Sequence, residues 1–317
     1  MARRFVLHSA AVMLFIVNPT AARGRAVQVW EEARRELGRQ GIAFAEHVTG
    51  GPGEAAGVAR AAFSDGVTRV VAVGGDGTLN EVINGYFDES GRAINRLSAV
   101  GLLPSGTGSD FRRTLGLATT ADALRALARG RTRSLDAARI AFAGGVGLSR
   151  HLINLASFGL GGDAVRLVSD WRGRWPRWVG GRARFVAAAL CALGRYRNVG
   201  VRVSLDEGRE LRVESNLIVV ANGRYAGGGM MFAPGAELDD GLLDVVLTDG
   251  VSRLEIVREL SRVGRGGHLR NPKVSLVRAR AVTIESDPPL AVEVDGEPAG
   301  QTPARLSVLP GAVRFIV

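Results

Sequence analysis

The hydrophobic pattern of the first 135 residues alternates between strand-like and helix-like segments. Short apolar runs rich in valine are typical of buried strands, and apolar residues spaced three and four apart are typical of helices. The predicted strands are Val12 to Val17, Ile42 to Val48, Arg69 to Val73 and Ser98 to Leu103. The predicted helices are Val27 to Leu37, Glu54 to Phe63, Thr78 to Tyr86 and Asp122 to Ala128. This alternation predicts an α/β domain with a doubly wound parallel sheet and helices on both faces.

Strand-like segments dominate the chain after Ser134. The predicted strands are Val199 to Leu205, Leu211 to Val220, Leu243 to Leu247, Ala281 to Glu285, Ala291 to Val294 and Ala312 to Val317. Two predicted helices, Gly181 to Leu193 and Leu254 to Val263, interrupt them. Many strands with few helices predict a mostly antiparallel β-sandwich. We therefore expect an α/β domain over 1–135, to which the C-terminal residues are candidates to return, and a β-rich domain over 136–317.

Composition narrows the class of protein. Of 317 residues, 46% are hydrophobic and 23% are charged, the profile of a folded globular chain. A single cysteine, Cys191, excludes an internal disulfide framework, and the four histidines are too scattered for a histidine-rich metal site. The net charge is +10, yet the only lysine is Lys273. Neither a P-loop nor the conserved lysine segment of protein kinases is present, since both need a lysine in a fixed motif.

The N-terminus is predicted to be a strand that the protein retains. No apolar run reaches the roughly 18 residues that a transmembrane helix requires. Ala2-Arg3-Arg4 and the following apolar residues resemble a signal peptide, but His8 and Ser9 interrupt the run and no small-residue cleavage site follows. A retained strand and one cysteine indicate a cytoplasmic protein.

A glycine-rich turn follows the predicted strand that ends at Val73. Gly74 to Glu81 reads Gly-Gly-Asp-Gly-Thr-Leu-Asn-Glu. Glycines let a backbone approach an anion closely, and the N–H groups and dipole of the following helix favour negative charge. Asp76 would repel a phosphate unless a cation lay between them, which suggests Mg²⁺. The alternative interpretation is a tight turn that the aspartate caps.

Three further loops follow predicted strands of the same parallel sheet. They are Asn18 to Ala21, Thr49 to Gly53 and Pro104 to Phe111. Ligands of such sheets bind at the carboxyl edge of the strands, where these loops would meet. The four loops together predict a nucleotide-binding edge.

These motifs resemble the diacylglycerol kinase catalytic family, which includes bacterial lipid kinases and sphingosine kinases. The matching segments, in the family's order, are Asn18-Pro19, Gly74 to Glu81, Leu102 to Phe111, Gly159 to Asp163, Asp239 to Asp244 and Asp295 to Glu297. The resemblance covers nearly the whole chain. The first glycine turn alone also occurs in NAD kinases and phosphofructokinases, so its occurrence together with the distal Asp-Gly-Glu is the specific feature.

The resemblance implies a function for individual residues. ATP would contact Asn18, Pro19, Thr20, Ala21, Ala22, Thr49, Gly74, Gly75, Asp76, Gly77, Thr78, Leu79, Asn80 and Thr107. Asp295 and Glu297 would lie by the transferred phosphate, with Glu297 as the candidate proton acceptor. A second, structural Mg²⁺ would be held by the Asp240 carboxylate and the carbonyl groups of Glu237 and Leu242. Two residues depart from the family pattern, because Ala22 stands where a glycine is usual and Ser109 where an asparagine is usual.

The residues around the distal carboxylates suit this chemistry. A hydroxyl that attacks a phosphate needs a base to take its proton and a metal to neutralise charge. Asp295 and Glu297 would point the same way if the strand Ala291 to Val294 continued through them. The alternative is a hairpin turn with Glu297 exposed. The segment Asp239-Asp240-Gly241 is also typical of a turn and could be purely structural. Gly159 to Ala164 matches a weak dinucleotide fingerprint without its usual context, and we interpret it as a backbone turn near the lipid pocket.

The segment from Trp171 to Arg197 combines seven arginines with three tryptophans and contains no acidic residue. Basic residues with interfacial aromatics suit an anionic membrane surface. A solvated helix whose tryptophans pack inward is the alternative, and nucleic acid fits the composition less well. We expect peripheral contact with the inner face of the membrane and no nucleic-acid partner, while a homo-oligomer stays open.

Together these observations predict a lipid kinase that uses ATP and Mg²⁺ to phosphorylate a hydroxyl of diacylglycerol or a related lipid. A NAD kinase is the alternative enzyme, since it shares the first glycine turn and the domain plan. A lipid-binding protein that kept the fold without catalysis is the alternative from another class.

Overall fold

The computed structural model describes residues 13–105, 109–143, 149–171, 175, 179–194, 197–206 and 208–317. The chain forms two compact units. Unit 1 consists of Met1–Leu135 and Gly311–Val317, and unit 2 of Asp136–Pro310. No helix within the described residues is long and apolar enough to cross a membrane.

The regular elements have the following bounds. The strands are β1 (Met13–Val17), β2 (Phe44–Val48), β3 (Arg69–Gly74), β4 (Ala99–Pro104), β5 (Thr132–Phe142), β6 (Ser149–Leu152), β7 (Leu155–Gly159), β8 (Val199–Leu205), β9 (Arg209–Ser215), β10 (Leu217–Ala221), β11 (Tyr225–Ala226), β12 (Met230–Met231), β13 (Leu243–Thr248), β14 (Val274–Ala279), β15 (Ala281–Asp287), β16 (Ala291–Val294), β17 (Glu297–Gln301) and β18 (Ala304–Ile316). The α-helices are α1 (Arg25–Arg39), α2 (Glu54–Ser64), α3 (Asp76–Tyr86), α4 (Phe111–Thr114), α5 (Thr120–Arg129), α6 (Leu160–Asp170), α7 (Gly181–Gly194) and α8 (Arg253–Arg262).

Unit 1 is built on a parallel sheet in the order β2-β1-β3-β4, with the end of β18 beside β4. Alternate residues of β1 and β3, such as Phe15 and Val71, form one core with the buried faces of α1 and α5. The other residues of these strands face the opposite side, because side chains alternate along a strand. The predicted α/β domain with a parallel sheet is confirmed.

Helix α1 shows why the sequence folds in this way locally. Its buried residues Ala26, Val29, Trp30, Ala33 and Leu37 recur every three or four positions, so they form one stripe against the sheet. The Trp30 ring lies 4.7 Å from that of Phe15, and its indole N–H donates a 2.6 Å hydrogen bond to Glu46 on β2. The helix therefore joins β1 and β2 through one buried aromatic side chain.

Unit 2 is a sandwich of antiparallel strands. One sheet has the order β14-β13-β10-β7-β16-β17, and β18, β15, β8 and β9 form the other up to Pro310. A core of valine, leucine and isoleucine, with Phe158 near its centre, lies between them. The predicted antiparallel sandwich is confirmed.

The structure corrects the predicted elements of this unit at three points. The single strand expected over Leu211 to Val220 is two strands in different sheets, β9 and β10, because the chain changes sheet at Asn216. The strand expected to begin at Ala312 begins at Ala304. Gly159 to Ala164 is not a simple backbone turn, since β7 ends at Gly159 and α6 begins at the next residue.

Candidate functional site

The loops that follow β1 and β3 are tied to each other at the carboxyl edge of the unit 1 sheet. The Asn18 backbone N–H donates to the carbonyl of Val73, and its side-chain amide donates to the Thr78 hydroxyl, both at 3.1 Å. The Asn18 side-chain oxygen accepts from the N–H and the hydroxyl of Thr20. Asn18 and Thr78 are thus brought together, as expected, although Thr78 is buried and its hydroxyl is already an acceptor.

The first glycine turn forms a backbone cradle without side chains. A Cβ at Gly74 would clash with Thr78, so only glycine fits there. Gly75 has open space where a Cβ would lie, and it immediately precedes the first residue of α3. Exposed N–H groups at such a helix start bind anions. Of the other predicted ATP contacts here, Leu79 and Asn80 have buried side chains.

Asp76 holds the second glycine turn in place. Its carboxylate accepts hydrogen bonds from the Ser109 hydroxyl at 2.9 Å, from the Asp110 N–H at 2.7 Å and from the Phe111 N–H at 3.3 Å. Burial raises the pKa of Asp76, and these hydrogen bonds oppose the rise. Ser109, which replaces the usual asparagine, therefore still supplies a donor to this network.

The remaining predicted nucleotide contacts of unit 1 are arranged along the same edge. Ala22 has a φ of 50°, a left-handed conformation that glycine adopts at no steric cost. Thr49 is buried, and its N–H and hydroxyl both donate to the carbonyl of Val17. Thr107 lies outside the described residues.

An arginine-lined cavity adjoins the end of β4 and was not found from the sequence. Its volume is about 220 Å³, and Arg25, Arg112, Ser105 and Thr120 contribute to its wall. The Ser105 hydroxyl is buried and has no hydrogen-bond partner among the described residues. The positive charges of Arg25 and Arg112 favour an anion there, although Arg112 already donates to the carbonyl groups of Leu117 and Ala118. The signal in the sequence was weak, because isolated arginines are common in this chain.

Asp295 and Gly296 form a two-residue hairpin turn between β16 and β17. Both have positive φ, 48° and 85°, as the mirror-image turns of tight hairpins require. The Asp295 carboxylate accepts hydrogen bonds from three backbone N–H groups, those of Ile153, Asn154 and Leu155. The strand therefore does not continue through Asp295, and of the two interpretations of this segment the hairpin turn is the one found. Glu297 begins β17 opposite Val294 and is partly exposed.

Glu293 is a buried carboxylate that the sequence analysis missed. It lies on β16 directly opposite Ser157 of β7 and is only 4% exposed. The Ser157 hydroxyl and the Gly296 N–H each donate to it at 2.8 Å. The pKa of Glu293 is raised to about 7, mainly by burial and to a smaller extent by the charges of Asp295 and Glu297, while the two hydrogen bonds oppose the rise. The signal in the sequence that could have found Glu293 is that it and Glu297 flank the Asp295-Gly296 turn.

The glycines at the start of α6 allow the helix to approach this carboxylate. A Cβ at Gly161 would clash with the Ser157 hydroxyl, and one at Gly162 would lie 2.5 Å from the carbonyl oxygen of Ala291. The glycine-rich segment is therefore explained by close packing of α6 on β7 and β16. Asp163, in the first turn of α6, has a raised pKa because of burial.

The residues proposed for a structural Mg²⁺ lie in the loop before β13. One Asp240 oxygen accepts from the Leu242 N–H at 3.0 Å, while the other is buried without a hydrogen bond and lies 3.5 Å from the Arg278 guanidinium. A carboxylate oxygen that lacks a hydrogen bond is a ligand of the type that Mg²⁺ prefers. The site fits the ion, although Arg278 already supplies positive charge. The described residues contain no cluster of three or more His, Cys, Asp or Glu side chains suited to a metal.

An apolar cavity of about 60 Å³ lies beneath α8 in unit 2. Leu217, Val219 and Val246 of the sheet form its floor, and Ile256 and Leu260 of α8 cover it. Two buried polar atoms at its wall, His268 Nδ1 and one Glu259 carboxylate oxygen, have no hydrogen-bond partner among the described residues. Burial lowers the pKa of His268, so a neutral ring is favoured. The surface of the cavity is almost entirely apolar, because the polar atoms of His268 and Glu259 are buried behind it, so it is suited to an apolar group.

The structure describes half of the arginines and tryptophans of the stretch from Trp171 to Arg197. Arg172, Arg174, Arg177, Trp178 and Arg195 lie outside the described residues. Trp171 ends α6 and packs with Phe185 against the buried alanines of α7, and its ring lies 5.8 Å from that of Trp175. At least this tryptophan therefore contributes to the packing of α6 on α7.

Comparison with known proteins identifies the family. Residues 12–140 match the model of the diacylglycerol kinase catalytic domain, and residues 156–317 match that of the YegS C-terminal NAD kinase beta sandwich-like domain. A diacylglycerol kinase from Mycobacterium tuberculosis is 30% identical over 98% of this chain and 96% of its own length. A Xanthomonas oryzae protein named "Probable lipid kinase YegS-like" is 33% identical over 90% of each chain. The fold is similar to that of a Bacillus anthracis diacylglycerol kinase, with a TM-score of 0.67, 22% identity and 96% of both chains covered. The glycine turns of unit 1, the sandwich of unit 2 and these matches lead to one conclusion: the chain belongs to the family of diacylglycerol kinases and YegS-like lipid kinases.

Proposed function

We propose that this kinase transfers the γ-phosphate of ATP to a hydroxyl of diacylglycerol or a closely related lipid. The apolar cavity beneath α8 is the observation that carries the choice of a lipid acceptor, because a water-soluble acceptor needs no such cavity. A cavity of about 60 Å³ takes only about two waters' share of volume, so an acyl chain requires α8 to move outward.

In this proposal the loops of unit 1 bind the nucleotide. The cradle at Gly74 and Gly75 and the start of α3 offer N–H groups to the phosphates. Arg25 and Arg112 would attract the anion into the adjoining cavity. Asp76 is the candidate ligand for a catalytic Mg²⁺, which when bound would neutralise the phosphate charge. The three hydrogen bonds that Asp76 already accepts keep the second turn in position for this role.

Glu297 is the proposed base that takes the proton of the attacking hydroxyl. It is partly exposed at the start of β17, whereas the Asp295 carboxylate is occupied by three backbone donors. Asp295 would then act by shaping the hairpin rather than by contacting the acceptor. Glu297→Gln keeps the shape and removes the base, so turnover should fall roughly 10²- to 10⁴-fold while ATP affinity is retained. A collapse of ATP affinity instead would make Glu297 a binding or structural residue.

A panel of acceptors tests the substrate class. Purified enzyme with radiolabelled ATP is presented with diacylglycerols of short and long chains, a ceramide and NAD, and products are separated by thin-layer chromatography. Leu260→Trp, which fills the cavity from α8, should raise KM for long-chain diacylglycerol more than for short-chain diacylglycerol. Exclusive phosphorylation of NAD, or no product with any acceptor, would refute the lipid proposal. Leu97→Ala in unit 1 is the matched control, since Leu97 is also 74% exposed and lies outside the proposed lipid and membrane sites.

We further propose that unit 2 contacts an anionic membrane. The stretch from Trp171 to Arg197 is strongly basic, and α8 exposes Leu254 and Val257 beside Arg253 and Arg258. Each basic residue near such a surface contributes about 1 kcal/mol at low salt. Reversing Arg172, Arg174 and Arg177 to glutamate should therefore weaken sedimentation with anionic vesicles, and high salt should reduce the difference. Equal binding of the native protein to neutral and anionic vesicles would contradict this contact.

A further inference from the structure

Glu293 is a buried carboxylate that phosphate transfer does not itself require. It is 4% exposed and lies on β16, which pairs with β7 on one side and with the edge strand β17 on the other. An unpaired buried charge is costly, so a glutamate at such a position needs a compensating role. The described residues place no cationic side chain in a salt bridge with it.

The hydrogen bonds of Glu293 connect two strands to the hairpin turn. One carboxylate oxygen accepts from the Ser157 hydroxyl and the other from the Gly296 N–H, each at 2.8 Å. Gly296 is the second residue of the turn and directly precedes Glu297 along the chain. The carboxylate therefore bridges β7 to the peptide that leads into Glu297.

Helix α6 packs against Ser157, the residue that donates to Glu293 from β7. Gly161 lies against the Ser157 hydroxyl so closely that no side chain would fit, and Gly162 lies against the backbone of Ala291 on β16. These contacts limit the positions open to Ser157, and they keep its hydroxyl directed at Glu293. Ser157 and Glu293 thus form a braced pair rather than two independent side chains.

We propose that Glu293 is a positioning residue, whose ionised carboxylate holds Gly296 and thereby fixes where the Glu297 side chain begins. This proposal rests on the proposed role of Glu297 as the base. Small displacements of a catalytic group cost large factors in rate, so a brace of this kind affects kcat more than nucleotide binding. When Glu293 is protonated, the brace loses the charge that strengthens both hydrogen bonds, and turnover falls.

The charged groups around Glu293 determine its titration. From its own hairpin, Asp295 and Glu297 both raise its pKa, and burial raises it most. Helix α6, which packs on β16, contributes Asp163 and Arg166, and β7 contributes no titratable side chain. Arg150 on β6 donates to the carbonyl of Pro298 next to Glu297. Because the pKa of Glu293 is about 7, its titration falls inside the range where activity can be measured.

The test compares kcat as a function of pH for the native enzyme and three variants, with diacylglycerol in detergent micelles. The native profile should show an inflection near pH 7, with activity falling as the pH drops. Glu293→Gln should lower kcat roughly 10- to 100-fold at alkaline pH and lose that inflection, with the KM for ATP unchanged within about twofold. Ser157→Ala should keep the inflection but move it to higher pH, since the Ser157 hydrogen bond lowers the pKa of Glu293.

Two comparisons keep the outcomes separate. Glu285→Gln replaces a partly exposed glutamate on β15 that forms a half-exposed ion pair with Arg202, and it should leave the profile unchanged. If Glu297→Gln is fully active, the proposed base is wrong. If Glu297→Gln is inactive while Glu293→Gln keeps both its rate and the inflection, only the positioning role is refuted. Circular dichroism shows whether Glu293→Gln folds. If it does not fold, the pH profile of Ser157→Ala is the deciding measurement. An inflection at higher pH than in the native enzyme supports the positioning role of Glu293, and an unchanged inflection overturns it.

Discussion

Replacing Glu293 by glutamine should change how the stability of the protein depends on pH, independently of any catalytic role. The native carboxyl is almost fully buried, and its pKa is raised to about 7 from an ordinary value of 4.5, mainly by burial. The folded protein therefore holds this proton more tightly than the unfolded chain. Glutamine has nearly the same shape but carries no titrating proton.

The sign and size of the effect follow from linkage. A carboxyl with a raised pKa in the folded state contributes stability below its unfolded pKa, and that contribution is lost as the pH rises through the folded pKa. A rise from 4.5 to about 7 corresponds to about 3 kcal/mol, lost progressively between about pH 4.5 and pH 7. Glu293→Gln should therefore become more stable relative to the native protein by about that amount on going from acidic to alkaline pH.

Urea unfolding measures this difference directly. Three of the four tryptophans lie in unit 2, so their fluorescence reports mainly on the unit that contains Glu293. The free energy of unfolding is determined for both proteins at about pH 5 and about pH 8.5, where most of the change is expected. Other shifted groups, among them Asp244 and His268, occur in both proteins and cancel in the double difference. A double difference below about 0.5 kcal/mol would refute the reasoning, because Glu293 would then titrate as it does in the unfolded chain.

Three further predictions concern other sites. Asp76→Ala should abolish turnover in a folded protein, because the donors of Ser109 and the second turn lose their acceptor and the candidate metal ligand is removed; near-normal activity with native circular dichroism would contradict this. Ala22→Gly should stabilise the protein by roughly 0.5–1 kcal/mol in thermal unfolding, since Ala22 has a φ of 50°, and a loss of stability would argue against that conformation. Removing Mg²⁺ with a chelator should lower the melting temperature of the native protein and leave that of Asp240→Ala unchanged. If the melting temperature of the native protein does not depend on Mg²⁺, Arg278 alone neutralises the Asp240 carboxylate.

Local patterns were sufficient to predict most elements of unit 1. The helix expected over Glu54 to Phe63 is Glu54–Ser64, and the strand expected over Arg69 to Val73 is Arg69–Gly74. Both elements could be predicted because the hydrophobic periodicity that defines each lies within one continuous segment. In unit 2 the prediction of one strand over Leu211 to Val220 was wrong, because the polar pair Ser215-Asn216 within it marks a change of sheet. Periodicity contains no information on which partner strand each half will join.

The same distinction between local pattern and folded structure applies to the candidate site. The family motifs, the glycine turns and the acidic residues around Asp295 were recognisable in the sequence, because each is a short segment with its own chemistry. Their contacts emerge only in the folded chain: Asp76 accepts a hydrogen bond from the second glycine turn, and Asp295 accepts from three backbone N–H groups of a distant segment. It also revealed Glu293, whose partner Ser157 is 136 positions away along the chain. The physical reason is that a carboxylate's role depends on its burial and on the donors that reach it, and strand pairing sets both.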